Sequence, residues 1–266
     1  MGTVTVPDWL KIPFIEHGYE YICFKPYSLL APWYTLHNET MNAYTMVFAL
    51  FLGFYNMMHY ITKYDITDTY YIIPFIAYFM GQFIHHPASI AYHLYKWRGG
   101  PNCMRRLRNL DVSMILIMNC YAALGLSWNI LGPFVSVVCF VINLCIAFNG
   151  IISIYVKGRS RHHDRTTIVE YIFTSMMGYY IPIIGKGIYD LLVLKELYAF
   201  TCATMMIVVH IASSALYITH VPERYYPNSR ILPYVCTSHI LMHIVSCVFL
   251  YNYGYIYIYN IYMANQ

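Results

Sequence analysis

The stretch Thr237–Val245 reads TSHILMHIV and carries two histidines four residues apart, His239 and His243, inside a strongly apolar run. On a helix that spacing puts both imidazoles on one face. Imidazole is the commonest protein ligand for metals. The pair therefore reads as part of a metal site, as part of a haem site, or as a polar patch between packed helices. Two further groups have matching chemistry: His93, which closes the segment SIAYH, and Asp111, which opens LDVSMI. Three imidazoles and one carboxylate make a tetrahedral zinc set. Zinc takes nitrogen and oxygen ligands at about 2.0–2.2 Å and keeps a position for water when the site is catalytic. Asp111 is expected either to bind the metal or to act as general base on its water. Ser89, four residues before His93 and on the same face, is placed to hydrogen-bond that water. A haem needs axial ligands on opposite sides of a flat ring. Two histidines one turn apart on one helix suit zinc better.

These side chains need elements to position them, and composition says what kind. The chain has 266 residues, 59% hydrophobic and 11% charged, with a mean hydropathy of +0.48. A soluble domain carries about 25% charged residues, so a membrane protein is expected. Nothing points to nucleic acid. Seven stretches approach the roughly 20 apolar residues of a spanning helix, near 41–61, 69–95, 111–131, 133–156, 166–185, 197–219 and 233–257. The expected fold is an all-α seven-helix bundle over 41–258, with a short N-terminal segment at 1–40 and a short tail at 259–266. The beginning of the chain shows neither the apolar core of a signal peptide nor a myristoylation pattern, since Val6 stands where Ser or Thr is required. The eight cysteines form no paired spacing and are expected to be unpaired.

Basic residues set the orientation. Lys11 and Lys25, then Lys96, Arg98, Arg105, Arg106 and Arg108, then Lys157, Arg159, Arg161 and Arg165, then Arg224 and Arg230 fall on one side of the spans. Lys63, Lys186 and Lys195 fall on the other. The N-terminus is then cytosolic and the C-terminus outside, and the sequon at Asn38 would escape glycosylation. Ionisable groups inside a membrane are functional suspects. The topology places His93, Asp111, His239 and His243 in one leaflet, from three helices. His59, His85 and His210 are expected to be hydrogen-bonding partners between helices. His86 lies a turn or two deeper than His93. Glu170 is expected to meet a loop arginine, and Asp190 and Glu196 to be solvated. The tyrosine-rich tail YNYGYIYIYNIYMANQ is expected to form an interfacial belt.

The motifs together resemble the progestin and adipoQ receptor family, which includes adiponectin receptors, membrane progestin receptors and bacterial haemolysin III proteins. HNETMNAYT (His37–Thr45) is similar to the family's stretch before the first span. SIAYH resembles the serine–histidine end of the second, and LDVSMI the aspartate opening of the third. VPERYYP (Val221–Pro227), followed by SHILMH (Ser238–His243), resembles the last loop and the HxxxH of the seventh. The resemblance implies a zinc ion held by His93, His239 and His243, with Asp111 reaching it directly or through water and Ser89 nearby. It implies a multi-pass protein of the plasma membrane or an endomembrane. Its partners would be membrane lipids and a steroid, a lipid amide such as ceramide, or an extracellular protein. Its role would be that of a receptor, with zinc either structural or serving a ceramidase-like hydrolysis. The chain departs from the family pattern at Glu20, Met46 and Ile240, so it reads as a divergent member.

Overall fold

The computed structural model describes residues 6–19, 30–98, 100–157, 165–194 and 197–264. Lys25, Arg159, Arg161, Lys195, Glu20 and Glu196 lie outside the described residues. Among those described, the regular structure is helical and no strand occurs. The elements are α1 (Ala31–Tyr34), α2 (Thr40–Lys63), α3 (Thr69–Tyr95), α4 (Gly100–Leu131), α5 (Pro133–Lys157), α6 (Arg165–Tyr189), α7 (Tyr198–Thr219), α8 (Leu232–Val235), α9 (Ser238–His243) and α10 (Tyr251–Ala264). A π-helical turn, Asp190–Leu194, extends α6, and a second, Ile244–Leu250, joins α9 to α10.

Among the described residues, four helices are long and apolar enough to cross a bilayer: Gly100–Leu131, Pro133–Val156, Phe200–Thr219 and Leu232–Ala264. The other predicted stretches are helical too. In α3, Gln82, His85, His86 and His93 dilute the apolar run, and all four are buried. The outward face of α5 is the reverse case. Phe134, Val137, Val141 and Phe148 are exposed there, as suits a surface solvated by lipid tails.

The helices pack closely where side chains are small. A Cβ on Gly125 would lie 2.8 Å from the Pro74 carbonyl, and one on Gly81 3.0 Å from that of Met118. Small residues let helix backbones approach, and these two glycines hold α3 and α4 together in antiparallel register. By contrast α2 and α10 run parallel, since Thr45 meets His243 and Asn56 meets Asn252.

Some expectations are revised. Helix α4 begins at Gly100, so Arg105, Arg106 and Arg108 are helical and not in a loop. The left-handed Gly100 (φ 71°) and Pro101 after it start the helix early. Asp190 is buried and bonded to Lys186, not solvated, because the π turn carries α6 onward and brings the two side chains together. Helix α10 runs on to Ala264, so residues 259–264 continue it. Its Tyr255, Tyr257 and Tyr262 are buried instead of lying in a belt, because α10 touches α2, α3, α4 and α7. Tyr255 accepts a hydrogen bond from the Gln82 amide at 3.1 Å. The seven described cysteines are free. Asn38 is buried and its backbone N–H donates to the Gly18 carbonyl, so the sequon is inaccessible in this fold.

Candidate metal centre

The site forms at one end of the bundle, where the last turn of α3, the first turns of α2 and the short α9 converge. His93, His239 and His243 each offer a ligand atom, and these atoms lie within 4.8 Å of one another. The ring centroids are 4.7–5.1 Å apart, and the rings stand nearly perpendicular. His93 is fully buried. Its Nε2 has no protein hydrogen-bond partner among the described residues, a costly arrangement for a buried polar atom unless a ligand takes it.

The outer faces of two of these rings are held. His93 Nδ1 lies 2.7 Å from Glu39 Oε2. A carboxylate only accepts, so this nitrogen carries a proton, and in the neutral ring the free lone pair is on Nε2. His243 Nδ1 faces the Asn42 carbonyl at 3.2 Å and the Thr45 hydroxyl at 3.2 Å. The carbonyl likewise requires a proton on Nδ1, leaving Nε2 as the ligand. The fit to a metal that prefers neutral imidazole is therefore good, and nitrogen donors of this kind suit zinc as they do copper, iron and nickel. His239 packs edge-on against Tyr217.

Helix α9 is capped at both the side-chain and the charge level. The Thr237 hydroxyl accepts from the Ile240 amide, and Glu223 accepts from the Ser238 amide at 2.7 Å and from the Ser238 hydroxyl. An anion at a helix N-terminus satisfies free N–H groups. The VPERYYP loop thus steadies the turn that bears His239 and His243.

Asp111 does not join the three-histidine group. Its Oδ1 lies 3.3 Å from His85 Nε2 across the α3–α4 contact, without hydrogen-bond alignment. The expectation for His85 is met only in part: it faces α4, but through a close charge contact and not a hydrogen bond, and the group it faces is a candidate site residue. His210 also meets the expectation, bridging the Tyr180 hydroxyl at 3.2 Å and the Met206 carbonyl at 3.1 Å. His59 stacks on Tyr55. His86 is fully buried and neither ring nitrogen has a hydrogen-bond partner among the described residues. Glu170 is exposed, and its carbonyl accepts from Thr174. Asp111, Ser89, His85, His239 and His243 all line one cavity of about 610 Å³. Residues Asp8–Pro13 line it as well, and Leu10, Ile15 and Tyr19 form a small core there with Trp97.

Two functional side chains escaped the sequence reading. Glu39 stood inside a quoted motif without a role, and Lys96 was counted only as a surface charge. Both are buried and ion-paired. Burial alone would raise the Glu39 carboxyl, but the Lys96 ammonium and the His93 hydrogen bond overcome it and hold the group well below the usual carboxylate range. Burial pulls the other way on Lys96, and Glu39 keeps its ammonium above the ordinary lysine value. His37, drawn down to about 4 by burial, is neutral and accepts the Glu39 amide at Nδ1, 3.2 Å away. The signal available in sequence was a glutamate placed just before a helix and three residues ahead of Asn42. Met46 and Ile240, two departures from the family pattern, are both fully buried, so each serves packing here.

Residues 34–251 match the family model described as haemolysin-III related. The chain therefore belongs to the haemolysin-III related family, which contains the progestin and adipoQ receptor-like proteins, and it is a multi-pass integral membrane protein. No curated protein matches it closely enough to serve as a relative.

Proposed function

Starting from a membrane protein of this family, we propose that it is a zinc-dependent hydrolase of lipid amides, working near the cytosolic leaflet of a seven-span bundle. The observation that supports this best is the three-histidine group, with the orphaned Nε2 of His93, two members of which, His239 and His243, line a cavity large enough for part of a lipid. The N-terminus is cytosolic and the C-terminus outside in this reading, following the basic residues.

Zinc in such a set supplies Lewis acidity to a carbonyl and acidifies water towards a pKa of about 7. The chain's own residues do the rest. His93, His239 and His243 hold the metal through neutral imidazoles. Asp111, on the cavity wall, takes a proton from water as the amide is attacked and later gives it to the leaving amine. His85 steadies the Asp111 carboxylate. Ser89 lines the same cavity, where its hydroxyl can bond a water or the amide. The apolar walls, including Ile115 and Met118, take the acyl chain and exclude bulk water. Ceramide is the first substrate to try.

A second reading has a specific observation in its favour. Asp111 faces His85 and stands apart from the histidine group, as suits a receptor for a steroid or an extracellular protein in which zinc only ties α3 to α9. Metal analysis and lipid assay separate the readings. The purified protein is expected to carry one equivalent of zinc, which the double variant His239→Ala, His243→Ala loses. Ceramide hydrolysis in lipid that Asp111→Asn abolishes while retaining zinc supports the enzyme. Zinc binding with no wild-type hydrolysis supports the receptor.

A further inference from the structure

We propose that the N-cap and first turns of α2 are the outer shell of the metal centre, and that Glu39, the N-cap residue, is its charged member, a positioning residue whose influence on the metal is opposed by Lys96. This rests on the metal reading above but goes beyond it, to residues that touch no metal.

Glu39, Asn42 and Thr45 recur every three residues and share one helix face. That face holds two of the three metal-facing histidines from behind. Glu39 Oε2 takes His93 Nδ1 at 2.7 Å and also accepts from the Asn42 side-chain amide at 2.7 Å. Its other oxygen is bound by the Lys96 ammonium. With three partners the carboxylate is fixed in place, and through it so is the His93 ring. The Asn42 carbonyl and the Thr45 hydroxyl do the same for His243. Both rings therefore present Nε2 inward before any metal arrives.

The electrostatics give Glu39 and Lys96 opposite signs. A carboxylate behind a ligating imidazole raises its basicity, and losing such a partner typically weakens metal binding by about 10–100-fold. The carboxylate also offsets part of a divalent charge in a buried site, where field strength is high. Lys96 competes for the same carboxylate and adds a positive charge close to the centre. Removing Glu39 should thus weaken binding, and removing the charge of Lys96 should tighten it. An ion pair that merely held α2 against α3 would behave otherwise: losing either end would loosen His93, and both variants would bind less well.

The test uses the full chain, purified in detergent with zinc present, and measures Zn2+ affinity by competition with a metal-binding dye. Glu39→Gln is expected to lower the affinity about 10–100-fold, and Lys96→Met to raise it severalfold. Wild-type affinity in Glu39→Gln, or weaker binding in Lys96→Met, overturns the proposal. If Glu39→Gln does not fold, Lys96→Met alone decides, because only the proposed arrangement predicts tighter binding. A wild-type protein that binds no Zn2+ overturns the metal reading itself, and this proposal with it. A wild type that binds zinc with both variants unchanged overturns only the outer shell.

Discussion

The surroundings of the two halves of the last helical rod treat polar groups differently. Along α10 several are paired within the protein. Tyr255 meets Gln82, Asn252 meets Asn56, and the Tyr251 hydroxyl points at the Met118 sulfur. On α3 and α4, towards the end that meets α9, several polar groups lack such a partner. His85, His86, Asp111 and His93 all carry buried atoms with no hydrogen-bond partner among the described residues. Both regions are buried in the same bundle. A polar group that only shapes a membrane protein finds its partner inside the chain. A buried group left without one, such as His93 Nε2, is open to a ligand from outside the chain.

The comparison can be broken by experiment, and the expected effects fall in order. The largest is the double variant His239→Ala, His243→Ala, which removes two of three ligands. Elemental analysis should show zinc lost while the protein still elutes as a monodisperse species, and retention of a full equivalent would place the metal elsewhere. Next comes Asp111→Asn. Under the enzyme reading it lowers lipid-amide turnover by about 10²–10⁴-fold, the usual share of a general base, and zinc content stays near that of the wild type. A smaller effect is expected for Thr237→Ala, which deletes the side-chain cap of α9. It should cost about 1 kcal/mol of stability, seen as a lower melting temperature in detergent, with a modest loss of zinc affinity because the cap belongs to the metal end. The smallest is Tyr255→Phe at the other end. It removes one hydrogen bond with the Gln82 amide, worth about 1 kcal/mol, and should leave zinc affinity unchanged. A fall in zinc affinity there would show that the two halves are energetically coupled and blur the distinction drawn between them.

Much of this was legible without a fold. The HxxxH spacing alone puts His239 and His243 on one helix face, since helical geometry is local. The apolar stretches give helices, and their alternation in direction brings His93 to the same end as α9. Other features were beyond sequence. Asp190 looked like a loop charge until the π turn placed it beside Lys186. The tail tyrosines have the composition of an interfacial belt, yet α10 is surrounded by other helices and buries them. Arg105, Arg106 and Arg108 read as a loop because charge and helix are independent properties, and a helix can extend out of an apolar layer without changing its local rules.

The sequence by itself determined the family, the helical class and the three imidazoles of the centre, because each depends on residue type and short-range spacing. Tertiary structure decided what stands behind those imidazoles. Glu39 and Lys96 are separated by the whole length of α2 and α3, and only antiparallel packing of the two helices brings a carboxylate, an ammonium and His93 into one hydrogen-bonded group. The packing of α4 on α3 turned Asp111 towards His85. Depth in a membrane can be counted along a chain, but the direction a side chain faces depends on helix rotation and on the neighbours that satisfy it. Both are set by contacts between residues far apart in sequence.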